Sequence, residues 1–133
     1  MKKAICVLLV IVMMVSITGC GKKVPDGFTE ETYNLGNDAL KVMDSFLSGA
    51  IVARDAEKEL SIICNGLDAA TIEPDPNSKN YGDELFQNFT TGNISFLVSS
   101  FVIGMYDWKS GYGNSYDCQE IRDRLYEEIN PKK

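Results

Sequence analysis

The stretch TEETYNLGNDALKVMDSFLSG, residues 29–49, contains the pattern that decides the fold class. Its apolar residues recur at the three- and four-residue spacing of a helix with one buried face. These residues are Leu35, Ala39, Leu40, Met43, Phe46 and Leu47. Thr29 is a suitable N-cap, and Gly49 supplies a C-terminal stop. The stretch therefore predicts a first helix over residues 30–48.

The next segment repeats the same spacing and predicts a second helix over residues 53–69. The apolar positions of this segment are Ala56, Leu60, Ile63, Cys64 and Leu67. Because the connection between the two helices is short, we expect them to pack antiparallel as a hairpin.

The C-terminal half begins with a loop marked by Pro74 and Pro76, which a continuous helix does not accommodate. A third apolar pattern follows from Asp83, and we expect one buried stripe made of Leu85, Phe86, Phe89, Phe96, Leu97, Phe101 and Trp108. Residues 90–93 are poor helix formers, so we expect a bend there or two consecutive helices. A last helix is predicted over residues 115–129, with Cys118, Ile121, Leu125 and Ile129 on one side.

Four helical patterns without strand-like alternation predict an all-α fold, a compact bundle of about four helices over residues 29–133.

A different kind of segment precedes it. Lys2 and Lys3 are followed by an apolar run over residues 4–17, the composition and length of a secretory signal peptide. The run is shorter than the roughly 20 residues that span a bilayer.

The end of this run, ITGC at residues 17–20, resembles the lipobox of bacterial lipoproteins. The resemblance implies that residues 1–19 are removed as a lipoprotein signal peptide and that Cys20 is diacylated through its sulfur. Two acyl chains suffice for stable membrane anchoring. The alternatives are an uncleaved membrane helix and a plain secretory signal. The predicted hairpin is also similar, in patterning alone, to small uncharacterised lipoproteins of Gram-positive bacteria, a likeness that implies no activity.

Residues 20–28 would then form a lipid-anchored tether, of which residues 21–28 reach at most about 26 Å. We expect the domain at the extracytoplasmic face of the cell membrane, attached through the lipid on Cys20. Removal of residues 1–19 leaves 11 basic and 19 acidic residues, a net charge of about −8. Nucleic acid is not expected as a partner, because its binding requires clustered Lys and Arg.

The cysteines divide by position. Cys6 lies in the signal peptide and Cys20 is the expected anchor, which leaves Cys64 and Cys118 as a pair. An even remainder in an exported domain favours a disulfide between them. The alternative is two buried thiols that pack as small hydrophobic side chains.

Catalytic chemistry has little support in the sequence. The chain contains no histidine, which excludes Ser-His-Asp triads, Cys-His dyads and zinc sites with imidazole ligands. Acid–base catalysis by a pair of carboxylates is still possible, for example by Asp83 with Glu84 or by Asp107 with Asp117. Charged runs of this kind, however, are usually solvated helix faces. We therefore predict no catalytic residue, metal site or cofactor.

Aromatic residues are densest in MYDWKSGYGNSYD, residues 105–117, which we term the aromatic junction. Its candidate binding residues are Tyr106, Trp108, Tyr112 and Tyr116. Such rings often stack on sugars or anchor protein interfaces. The alternative is that Trp108 caps the core while the tyrosines close a helix junction.

Two functional hypotheses follow from these observations. The first is a non-enzymatic binding or interaction module at the outer face of the membrane, which meets a membrane-proximal protein or a cell-wall fragment. The second is a small carboxylate-dependent hydrolase or lyase that acts on cell-wall material. A pocket with two close, desolvated acids would favour the second hypothesis, and exposed aromatic residues without such a pair would favour the first.

Overall fold

A computed structural model describes residues 23–132 of the chain. It contains four helices, which are α1 (Glu30–Leu47), α2 (Ala53–Ala70), α3 (Tyr81–Ser110) and α4 (Ser115–Ile129). No strand occurs within these residues. The predicted all-α bundle is therefore confirmed. The expected signal peptide and Cys20 lie outside the described residues.

The helices form a closed ring, in which each packs on its neighbours in sequence and α4 packs back on α1. Neighbouring helices are antiparallel. Along α3, for example, Asn88 bonds to the backbone of Ile72, Cys64 lies against Ser99, and Tyr106 donates to Glu57. As the residue number increases along α3, the residue number of the partner in or just after α2 decreases, which shows that the two helices are antiparallel. α1 and α3 also touch across the ring.

The helix ends match the local signals in the sequence. The Thr29 side chain accepts a hydrogen bond from the backbone N–H of Thr32 at 3.0 Å, which caps α1. Gly49, with φ +78°, allows the chain to turn after α1. Glu84 closes the loop before α3 by accepting bonds from the Asp75 N–H and the Ser78 hydroxyl.

Apolar side chains from all four helices fill the core. The rings of Phe46 and Phe101 meet edge to face with centroids 6.0 Å apart, which joins α1 to α3. Two polar side chains lie in the same interface, where the hydroxyls of Thr32 and Thr91 are 3.0 Å apart and buried. Every buried side-chain nitrogen or oxygen among residues 23–132 has a hydrogen-bond partner.

The bend expected at residues 90–93 is absent, because α3 is one continuous helix of 30 residues. The hydroxyls of Thr90 and Thr91 donate to the carbonyls of Phe86 and Gln87 one turn earlier. Thr91 also bonds to Thr32 on α1. The bonds to Phe86 and Gln87 satisfy the threonine hydroxyls without interrupting the helix. The bond to Thr32 is a tertiary contact, and such contacts override the low helix propensity of the segment.

The buried stripe expected on α3 was partly wrong. Leu97 and Phe101 are buried and Trp108 is half-buried, but Leu85, Phe86, Phe89 and Phe96 are exposed. At about 100° per residue, Phe96 and Phe101 point in directions roughly 140° apart, so they cannot share one face. The core face of α3 instead consists of Thr90, Thr91, Ile94, Leu97, Val98, Phe101 and Met105.

Candidate functional site: the aromatic junction

Hydrogen bonds to backbone groups fix the aromatic junction at both ends. α3 stops at Gly111, whose φ of +82° is the left-handed conformation that favours glycine. The N–H groups of Tyr112 and Gly113 bond to the carbonyl of Asp107 at 2.9 and 3.1 Å. Asn114 then opens α4 with a capping box, in which its side chain and that of Asp117 exchange bonds with each other's backbone N–H. The connection is therefore short and fixed.

Three of the four predicted binding residues expose their rings. Tyr112, in the connection, is 90 % exposed, and Tyr116, in the first turn of α4, is 71 % exposed. Tyr106, near the end of α3, is 41 % exposed. Its hydroxyl donates to the carboxylate of Glu57 on α2, and this bond to an anion raises the pKa of Tyr106 above its ordinary value.

Trp108 has a different role from the tyrosines. Its ring meets Phe46 edge to face at 5.6 Å, and the ammonium of Lys109 lies 4.3 Å from its centroid and 5.3 Å from the centroid of Phe46. The side chain is half-buried against the core. Trp108 therefore packs at the edge of the core, whereas Tyr112 and Tyr116 are not enclosed by the helix junction.

The chemistry available at the junction is that of phenol rings bordered by carboxylates. Asp107 and Asp117 are exposed beside the tyrosines. Phenol faces stack on apolar faces of sugars and on side chains, while phenol hydroxyls and carboxylates bond to polar groups around them. The arrangement suits recognition of an uncharged or cationic surface.

The carboxylates considered as acid pairs either stabilise local structure or are exposed to solvent. Asp117 caps α4, Glu84 closes the loop before α3, and Asp83 and Asp107 are exposed. Two surface grooves in the described part of the chain contain carboxylates. One, of about 550 Å³, lies between the tether and the C-terminal tail, and Asp26 is the single acid in its lining. The other, of about 330 Å³, contains Asp38 and Glu59.

In that second groove Asp38 is largely solvated and paired with Lys41 at 2.7 Å, and Glu59 is exposed. Neither groove therefore brings two desolvated carboxylates together, which is the feature that the hydrolase hypothesis requires.

The disulfide expected between Cys64 and Cys118 is not formed in the structure, where both residues are free thiols. Cys64, on α2, lies 3.7 Å from the hydroxyl of Ser99. Cys118, on α4, is fully buried and faces Gly104. α2 and α4 lie on opposite sides of the ring, whereas a disulfide needs two Cα atoms within about 7 Å. The number of cysteines in a sequence does not show which helices are neighbours in the fold, so it could not exclude this pair.

The two thiols should differ in reactivity. Burial, together with the charge of Asp117, raises the pKa of the Cys118 thiol, so less thiolate forms there at a given pH. We expect iodoacetamide to modify Cys64 in the native protein well before Cys118, as followed by peptide mapping with mass spectrometry. Unfolding without reductant should then expose Cys118 to the reagent. Failure of both residues to react after such unfolding would instead show a disulfide.

A second exposed surface, which was not predicted from the sequence, lies on α3. Leu85, Phe89, Phe96 and Ile103 line one side of α3, and we term them the α3 face. A signal was present, because residues 85–106 contain no charged side chain. Among the described residues α3 is the one helix long and apolar enough to cross a membrane, but its opposite side forms the core of the bundle.

Comparison with known proteins yields no match to a family model, to a curated protein or to a solved structure. The functional assignment of the chain therefore depends on its own residues.

Proposed function

We propose that the protein is a lipoprotein anchored by a diacylated Cys20 at the extracytoplasmic face of the cell membrane, where it acts as a non-enzymatic binding module. Its partner is a membrane-proximal protein or a cell-wall fragment. The ITGC motif after an apolar run with a basic start supports the anchor. The acidic balance of the chain argues against nucleic acid as the partner.

The observation that carries the binding role is the exposure of Tyr112 and Tyr116 on a fixed connection. Large aromatic rings are costly to leave in water, and connections between rigid elements are where binding residues are usually displayed. The bonds at Asp107 and Asn114 hold the connection in one conformation before a partner arrives. Such preorganisation lowers the entropic cost of binding.

The position of the junction in the bundle supports a partner away from the lipid surface. The tether contacts the start of α3, where Gly27 lies against the ring of Phe86. The junction follows the other end of this helix at Ser110. At 1.5 Å per residue the two points are about 36 Å apart along the axis. A bundle that stands on its tether therefore presents the tyrosines toward the cell wall.

Lipidation is tested directly by mass spectrometry of the N-terminal peptide from purified membranes. We expect a mature chain that begins at Cys20 and has the added mass of a diacylglyceryl group, because the sulfur of this cysteine is the acceptor in the lipobox. The matched variant Cys20→Ser should lack the addition and be released from the membrane. A mature chain with another start, or one that keeps Met1, would contradict the anchor.

The binding role is tested with the double variant Tyr112→Ala/Tyr116→Ala. Wild-type protein in detergent-solubilised membranes, and separately with purified cell-wall fragments, should retain a partner that the variant loses by at least tenfold. The melting temperature should change little, because both rings are solvent-exposed.

Tyr126→Ala is the matched control, since this tyrosine is also exposed but lies near the end of α4 under the guanidinium of Arg122. Equal retention by wild type, double variant and control would show that the junction is not the binding surface.

A further inference from the structure

Two carboxylates border the connection that displays the tyrosines of the aromatic junction. A Cβ atom added at Gly113 would lie 3.2 Å from the Cβ atom of Asp107, so the Asp107 side chain leaves α3 directly beside the connection. Oδ2 of Asp117, in the first turn of α4, lies 3.4 Å from the backbone nitrogen of Asn114. Because residues 113 and 114 are consecutive, the two exposed aspartates flank the same short stretch of chain.

The exposed rings lie next to this stretch. Tyr112 directly precedes it, and Tyr116 follows it in the first turn of α4, with 90 % and 71 % of their surfaces exposed. These fractions leave on the order of 300 Å² of side-chain surface in water. Since the face of an aromatic ring carries negative partial charge, the rings and the carboxylates together form a surface that attracts cations.

No cation of the protein neutralises these two carboxylates. Lys109 is the one basic residue in segment 105–117. Its ammonium lies 4.3 Å from the ring centroid of Trp108 and 5.3 Å from that of Phe46, which holds it at the edge of the core. Among residues 23–132, neither Asp107 nor Asp117 takes part in an ion pair. Their charges are therefore available to a ligand.

An uncharged ligand fits this surface poorly. Covering the surface removes water from Asp107 and Asp117, and a carboxylate needs a positive charge and hydrogen-bond donors in exchange for its hydration. The guanidinium of arginine supplies both, because it donates two parallel bonds to a carboxylate and its flat face stacks on phenol rings. A lysine ammonium brings the charge without the flat face. We propose that the aromatic junction binds an arginine-bearing segment of a partner protein.

The assignment rests on the proposed function, in which the junction is the binding surface, and it adds the chemistry of the partner. The junction is an open surface, and salt weakens each exposed ionic contact there. Several contacts must therefore act together, and a polypeptide segment provides them along its length. The net charge of about −8 expected for the mature chain attracts a basic segment and repels anionic polymers.

The test measures the affinity of the mature lipidated chain, in micelles of a neutral detergent, for a blocked peptide of glycine, serine and arginine. The matched peptide carries citrulline in place of arginine, which keeps the shape of the side chain and removes its charge. Fluorescence anisotropy of a neutral dye on the peptide follows binding. We expect the arginine peptide to bind at least tenfold more tightly than the citrulline peptide. Equal affinities would overturn the proposal.

A charge variant separates the junction from the overall acidity of the chain. Asp107→Asn/Asp117→Asn should weaken binding of the arginine peptide at least tenfold, while the carbonyl oxygen of asparagine can still accept the Asn114 N–H bond that helps to cap α4. Glu73→Gln/Asp83→Asn is the matched control, because it removes the same charge from exposed positions just before and within the first turn of α3. Equal weakening by both variants would overturn the proposal in favour of non-specific attraction.

The outcome for the native partner distinguishes this proposal from the proposed function. Retention that is lost in Tyr112→Ala/Tyr116→Ala but kept in Asp107→Asn/Asp117→Asn would overturn the arginine assignment and leave the binding role intact. Tyrosine-dependent retention of purified cell-wall fragments alone would overturn it in favour of a wall ligand. Equal retention by wild type and both variants would contradict the proposed function itself. Circular dichroism of each variant should match that of wild type.

Discussion

Replacement of Phe101 by alanine is expected to lower the free energy of unfolding by about 3–5 kcal/mol. Phe101 is fully buried in the middle of α3, and its ring packs edge to face on Phe46 of α1. The substitution removes that contact and leaves a cavity between two helices that cannot fully collapse. Urea unfolding followed by far-UV circular dichroism measures the loss, which is a large fraction of the stability of a small domain.

The same substitution at Phe96 is the matched control. Phe96 belongs to the same helix and differs from Phe101 mainly in its exposure of 64 %. Phe96→Ala should change the free energy of unfolding by less than about 1 kcal/mol. Equal losses for the two variants would mean that the orientation of α3 about its axis differs from the one described.

Substitution of Gly36 by leucine should also destabilise the bundle, by about 1–3 kcal/mol or more. Gly36 is buried on α1, where an added Cβ would lie 2.7 Å from Cδ1 of Ile129 and 3.7 Å from Cγ2 of Ile94. α1 thus touches α3 and α4 at this position, and a larger side chain forces the helices apart. The measurement is the melting temperature, which falls by roughly 4–8 °C for each kcal/mol in a domain of this size.

Leucine at Gly92 provides the comparison for this effect. The chemical change and the loss of backbone freedom in the unfolded chain are the same at both positions, but Gly92 has open space around it. The melting temperature of Gly92→Leu should therefore be equal or higher, because leucine is the better helix former. A Gly36→Leu protein as stable as wild type would show that α4 does not pack closely on α1.

The positions of the helices could be predicted from sequence because their ends are marked locally. Thr29 and Asn114 cap α1 and α4 through their own side chains, and Pro74 and Pro76 interrupt the chain before α3. Such signals act over a few residues, so they are readable without knowledge of the fold. The last helix, predicted over residues 115–129, has those bounds in the structure.

The orientation of α3 about its axis could not be predicted in the same way. Residues 85–106 are uncharged on every side, so the periodicity offers little contrast between a core face and a solvent face. The choice is made by distant residues, among them Thr32, whose hydroxyl pairs with Thr91, and Phe46, whose ring meets Phe101. Phe89 and Phe96 consequently lie outside the core.

The candidate site was predictable in composition but not in arrangement. The cluster of rings in residues 105–117 is visible in the sequence, whereas the exposure of each ring depends on packing. Trp108 is retained by Phe46, and Tyr106 bonds to Glu57, both of which lie far away in the chain. Those contacts exist only once α1, α2 and α3 have assembled.

The buried pair of Thr32 and Thr91 has a consequence for the alignment of the helices. Helices joined only by apolar side chains can exchange one set of contacts for another by sliding along their axes. If α3 slid by one turn, the two hydroxyls would lose each other inside the core. Thr91 would keep its bond to the carbonyl of Gln87, but the hydroxyl hydrogen of Thr32 would lose its acceptor, at a cost of about 1–3 kcal/mol. The pair thus selects one register of α3 on α1, and that register sets how far beyond the end of α1 the tyrosines extend.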